Sequence, residues 1–245
     1  MAKKIAKKVA QKEEAPFDFN NYHFEVKNPH KMTQKQKEVL KVSQDPNTKM
    51  IILDGFPGTS KTYLSILIAL EKLRDKRVSG ITSFRSTIQA KDGETGFLSG
   101  DLTEKMRFFA NPFYSKMQEL LKDSDLEIIS KKLFDFLPTS FVRSISLKNE
   151  CLILSEAQNC FDSTIFDVCC RAGEGSFVII EGDSVMQNDL QNSRYHSGFK
   201  SFCKMVDDED SKAFGIHYFY FNENDIVRSD LVKYLVLKKI QFEME

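Results

Sequence analysis

Gly55, Phe56, Pro57, Gly58, Thr59, Ser60, Lys61 and Thr62 form the stretch whose residue types and spacing most plainly suit chemistry. Glycines ahead of a Lys-Thr pair let backbone N–H groups turn inward around phosphate oxygens. Lys61 is then placed to reach the β- and γ-phosphates of ATP, and the Thr62 hydroxyl to ligate Mg²⁺. A helix starting at this point adds the positive end of its dipole. One position departs from the usual pattern, because the last glycine before the lysine is Ser60. A positive φ there would strain serine by roughly 1 kcal/mol, whereas a helical φ would cost nothing. An ordinary Gly/Pro turn is the plain alternative, and the apolar run before it and helical run after it favour the phosphate loop.

Such a loop needs an acidic strand end nearby, to hold the water shell of the metal and to activate the attacking water. The apolar run 151–154 ends in Ser155-Glu156. Ser155 stands where an Asp is expected; it can hydrogen-bond a Mg²⁺-bound water but supplies no charge. Glu156 is placed to orient or deprotonate the nucleophilic water. The run 177–180 ends in Glu181-Gly182-Asp183, with Gln187 and Asp189 beyond it. Carboxyl ends of parallel strands gather on one edge, so Asp183 and Gln187 can face the γ-phosphate or the metal shell. Taken singly, Glu156 is equally well a solvated loop residue and Gly182-Asp183 a surface turn.

The elements that must position these residues are legible as short apolar runs between helical stretches. Residues 50–53, 78–84, 151–154, 177–180 and 216–221 read as buried strands. Residues 33–43 read as a helix capped by Thr33, and 61–74 as a second helix directly after the loop. Strands alternating with helices predict an α/β fold with a mainly parallel sheet covered on both faces. The stretch 86–146 exceeds one crossover; a Gly-rich turn at 95–100 and helical patterns over 101–121 and 126–136 read as an insertion. The lysine-rich residues 1–30 read as a solvated basic arm, leaving 31–245 as a single domain.

Composition adds exclusions. Lys plus Arg equals Asp plus Glu, at 35 each, so overall charge makes no case for nucleic acid or an anionic membrane. Contact with RNA or single-stranded nucleic acid would need a local patch, such as the arm lysines or Lys35, Lys37 and Lys41. The five cysteines lie among apolar residues without ligand spacing, which fits reduced thiols in a cytoplasmic protein. The longest apolar run, 63–70, is too short for a bilayer, so no membrane association is expected.

GFPGTSKTY, TGFLSGDLTEKM, ILSEAQN, EGDSVMQNDL and FNENDIVRSDLV fall in the order and spacing of the PhoH family of P-loop ATPases. The resemblance covers residues 32–236, and Ser60 and Ser155 look like the bacteriophage-encoded branch, which would place the protein in host cytoplasm. It implies a RecA-like P-loop NTPase core similar to that of superfamily-one helicases. Gln36 would be similar to their adenine-reading glutamine, and Tyr63 directly follows the loop as in GFPGTSKTY. Arg85, Arg143 and Arg171 fall on family arginines, and Arg228 resembles one placed to contact the γ-phosphate, including that of a neighbouring subunit. Lacking resemblance to a second RecA-like domain, the chain would move on nucleic acid as a homo-oligomer, a ring of the hexameric type. The expected function is Mg²⁺-dependent ATP hydrolysis by Lys61, Glu156, Gln187 and Arg228. An ATP-binding switch that scarcely hydrolyses is the alternative raised by Ser155; a phosphotransferase has no acceptor signature to support it.

Overall fold

Residues 17–86, 102–186 and 196–244 are described by the computed structural model. In chain order the regular elements are α1 (Gln34–Gln44), β1 (Met50–Gly55), α2 (Lys61–Arg74), β2 (Gly80–Arg85), α3 (Leu102–Leu120), α4 (Asp123–Lys132) and β3 (Phe134–Pro138). They continue with β4 (Glu150–Ser155), α5 (Asp162–Cys169), β5 (Phe177–Gly182), α6 (Phe199–Val206), α7 (Glu209–Phe214), β6 (Ile216–Phe221) and α8 (Asp230–Met244). The six strands form one sheet in the order β3-β2-β4-β5-β1-β6, and every pairing in it is parallel. All carboxyl ends therefore share one edge. With β5 inserted between the loop-bearing β1 and the acidic β4, this is the α/β, RecA-like P-loop arrangement expected from the sequence.

Side-chain alternation along the strands divides the core in two. Ile51, Leu53, Ile153 and Ile179 join the buried face of α2, with Leu64, Leu67 and Ile68. Ile52, Leu154 and Ile180 point the other way, against Ile165 of α5 and Phe199 and Phe202 of α6. Helix α2 is buried for most of its length, which fixes its first turn against the carboxyl edge. Thr33 caps α1 through a reciprocal bond with Gln36, which supplies acceptors for two otherwise orphaned N–H donors.

Two expectations need correction. The helical pattern at 126–136 breaks into α4 and β3, and β3 becomes an edge strand beside β2. Residues 17–30, assigned to a solvated arm, lie against the domain: Phe24 is buried, Phe19, Tyr22 and Val26 pack on the core, and the Lys27 N–H donates to the Leu120 carbonyl at 2.8 Å. Residues 1–16 and the turn at 95–100 lie outside the described residues. All five cysteines are free thiols; Cys151, Cys160 and Cys203 are buried as the apolar reading expects, whereas Cys169 is half-buried and Cys170 exposed. Among the described residues, no helix is long and apolar enough to cross a membrane.

Candidate nucleotide site

The loop leaving β1 turns on backbone that only glycine adopts freely. Gly55 has φ 141° and Gly58 φ 83°; a Cβ on Gly55 would run into the Phe221 carbonyl, and one on Gly58 would meet Val232 Cγ1 at 3.1 Å. Ser60 is left-handed, with φ 65° and ψ 31°. The strained alternative for Ser60 is thus the observed one, at about 1–2 kcal/mol. Thr59 Oγ1 closes the loop on the Phe56 carbonyl at 2.8 Å, and the Ser60 carbonyl accepts the first helical bond of α2 from Leu64. The ends of the loop are fastened too: Phe56 N–H donates to Phe221 O at 3.2 Å and Val227 N–H to Gly58 O at 3.0 Å.

Lys61 folds under this loop. Its ammonium donates to the carbonyls of Gly55 at 2.7 Å and Phe56 at 3.0 Å. Burial lowers its pKa, opposed by the charges of Asp183, Glu181, Glu156 and Asp54. These four carboxylates come from the ends of three different strands, so the sheet edge surrounds one cation with acid. Thr62 Oγ1 and Ser65 Oγ, from the first turn of α2, donate to the two oxygens of Glu181, each at 3.0 Å. Glu181 is buried at 3% exposure. Burial, then the neighbouring charge of Glu156, pushes its pKa up to about 7.

On the next strand, Ser155 is buried and its Oγ has no partner. Glu156 follows with φ 53°, a left-handed residue half exposed at the edge. Of the four non-glycine residues with positive φ in the described structure, two are therefore Ser60 and Glu156, the pattern expected where strain is held at a working site. Gln158 bridges the strand ends: its Nε2 donates to Glu156 Oε2 at 2.6 Å, and its Oε1 accepts from Asp183 N–H at 3.1 Å. Asp183 is buried, not on a surface turn. Its Oδ1 accepts from Val185 and Met186 N–H while its Oδ2 has no partner; burial raises its pKa. Gly182 permits this closeness, since a Cβ there would meet Phe199 at 2.6 Å.

The family described as PhoH-like protein matches residues 29–239. The chain belongs to the PhoH family. It is 29% identical over 205 residues to a PhoH-like protein of Synechocystis sp., covering 83% of this chain and 60% of that one. To a PhoH-like protein of Bacillus subtilis it is 31% identical over 184 residues, covering 74% and 55%. The chain thus spans little more than half the length of the curated relatives it matches. Among solved structures it is similar to a Sulfolobus solfataricus SWI2/SNF2 ATPase core in complex with dsDNA, with a TM-score of 0.48 and 12% identity, covering 86% of this chain and 49% of that one.

The residues singled out by PhoH resemblance occupy different places. Arg85, at the end of β2, has its Nη2 3.7 Å from Glu156 Oε1 and so joins the site. Arg228 is exposed, with its Cβ 3.3 Å from where a Cβ on Gly58 would lie, so it borders the loop. Gln36 is buried beside the loop with both ends of its amide engaged: Oε1 accepts from Thr33 N–H at 2.9 Å and Nε2 reaches the Thr59 carbonyl at 3.4 Å. Each end of the amide keeps one further bonding position, a lone pair on Oε1 and an N–H on Nε2. Tyr63 is buried and donates its hydroxyl to Asn28 at 2.9 Å. Arg143 pairs with Asp167 at 2.7 Å on the surface, and Arg171 has a buried Nε without a partner; neither contacts the loop residues. Gln187 and Asp189 lie outside the described residues. Lys35 is tied to the Tyr220 carbonyl and Asp225, which leaves only Lys37 and Lys41 exposed from the proposed basic cluster.

Sequence reasoning missed Glu181 and Gln158 as site residues. The signal for Glu181 was a carboxylate set inside an apolar strand end one residue before Gly-Asp.

Proposed function

We propose that this chain binds ATP with Mg²⁺ at residues 55–62 and hydrolyses it slowly. The observation that carries the reading is the convergence of the loop, Lys61 and the carboxylates of Glu156, Glu181 and Asp183 on one sheet edge. The loop N–H groups and the α2 terminus would hold the β- and γ-phosphates, with Lys61 leaving its two loop carbonyls for phosphate oxygens. The donor set fits a hard cation: hydroxyl and carboxylate oxygens of Thr62, Glu181 and Asp183 lie around the loop lysine, and the metal would share its shell between such oxygens and the phosphates. Bound Mg²⁺ supplies neutralisation of charge on the transferring phosphoryl group.

Glu156 is the group to orient and deprotonate the water, held for that task by Gln158 and Arg85. Arg228 stands beside the loop, where it would act on the γ-phosphate, and Gln187 completes the sensing set. Single-stranded RNA is the partner to test, with assembly of several copies as a second stimulus. Phosphate release should be measured with and without RNA, alongside solution mass. Glu156→Gln should lower turnover by roughly 10²–10⁴-fold while ATP affinity changes less than about threefold. Unchanged turnover in that variant would remove the general-base assignment. The second reading, an ATP-held switch, is favoured by the uncharged Ser155; ATP binding without turnover in every assembly state would select it.

A further inference from the structure

A cation beside a triphosphate is usually held through one or two carboxylates in addition to phosphate oxygens. Position 155 at the end of β4 does not supply one, because Ser155 is uncharged and its buried Oγ is unpartnered, and the Glu156 carboxylate that follows is taken up by Gln158 and Arg85. One step beyond the last registered pair of β4 and β5, Leu154 with Ile180, Ser155 lies beside Glu181. Strand alternation sends both to the α2 face, since Leu154 and Ile180 pack in the opposite core. There the Glu181 carboxylate receives the Thr62 hydroxyl, the group that phosphate-loop chemistry gives to the metal.

We propose that the carboxylate holding the nucleotide's divalent cation has moved one strand across the sheet, from position 155 to Glu181. This rests on the nucleotide-binding reading above. A purely structural acceptor for Thr62 and Ser65 does not need a charge, and burying a carboxyl here is costly where an amide would be cheaper. The other edge carboxylates fit less well. Asp54 already accepts three bonds, from the Ser184 N–H and hydroxyl and from the Tyr218 hydroxyl. Asp183 has a free oxygen but no bond to Thr62.

The probe is Mn²⁺, titrated by electron paramagnetic resonance against the full chain saturated with ADP, with ADP affinity measured separately in EDTA. Glu181→Gln should weaken Mn²⁺ binding by about 10–100-fold and leave metal-free ADP affinity within about threefold. Adding Ser155→Asp to that variant should restore Mn²⁺ binding by returning the charge to the neighbouring strand. Unchanged Mn²⁺ affinity in Glu181→Gln, or its loss in Asp183→Asn alone, overturns the proposal. Should Glu181→Gln not fold, Ser155→Asp alone decides: affinity within about threefold of the parent supports Glu181 as the existing source, and a tenfold gain overturns it. Failure of the parent chain to bind ADP in EDTA would instead overturn the nucleotide reading, and this proposal with it.

Discussion

Glu181 at the carboxyl edge of the sheet and Glu150 at its amino edge face similar electrostatic trouble. Burial pushes each carboxyl up to about 7, and neither has an ion pair among the described residues. Their surroundings differ. Glu150 has a single long bond from Thr82 Oγ1, at 3.3 Å, with the charge of Asp135 nearby. Glu181 receives two hydroxyls from the first turn of α2 and lies in the field of Lys61 and Glu156. A displaced pKa therefore does not distinguish a working carboxylate from a stranded one. What sets Glu181 apart is its pair of hydroxyl donors and its place beside the loop lysine.

The largest effect that separates the two glutamates is on stability against pH. Each carboxyl titrates near 4.5 when unfolded and near 7 when folded. The folded state therefore keeps the proton longer, so stability is full below pH 4.5 and declines as pH rises through 7. Urea unfolding at pH 4 and pH 8 should show Glu181→Gln gaining relative to the parent at the higher pH, by up to about 3 kcal/mol. Glu150→Gln should gain in the same direction but by less, because its side chain is partly exposed and better screened. Equal gains would erase the contrast.

The neighbouring glycines sharpen it next. A Cβ on Gly182 meets the buried Phe199 ring, whereas one on Gly80 meets only the carboxylate end of Glu150. Gly182→Ala should cost about 1–3 kcal/mol by overpacking, and Gly80→Ala less than about 1 kcal/mol, because a carboxylate can rotate aside. Equilibrium denaturation of both variants checks the ranking. The smallest difference concerns backbone strain. Ser60 at the site edge and Asn149 beside Glu150 are both left-handed, a conformation that asparagine tolerates better than serine. Ser60→Gly should raise the melting temperature by about 2–4 °C for roughly 1 kcal/mol relieved, and Asn149→Gly by less.

The sequence carried most of the frame. Five of the six strands are short apolar runs, and the loop is a pattern with strand and helix on either side. The strand β3 was hidden because Phe134, Leu137 and Pro138 give neither a long apolar run nor a clean alternation, and they follow directly on a helical period. Residues 17–30 read as polar, since Asn20, Asn21, His23 and Asn28 dilute the aromatics that anchor them. At the site, Lys61, Thr62 and Glu156 follow from local spacing. Glu181 does not, because its partners lie more than a hundred residues away on α2 and become visible only when β5 is set beside β1. The bridge made by Gln158 is likewise a property of two strand ends meeting.

The bond from Val227 to the Gly58 carbonyl couples two things that the sequence keeps far apart. Phe56 in the loop and Met186 after β5 pack with Val232, Val236 and Ile240 of α8, so the loop carries the C-terminal helix on its back. The far side of that helix leaves Leu231, Tyr234, Leu235 and Phe242 in solvent. Linkage is reciprocal: whatever factor a nucleotide imposes on the grip of a partner at α8, that partner imposes on the nucleotide. In this fold a ligand on α8 and one on the loop would share a single set of contacts, those of Phe56 with Val236 and its neighbours.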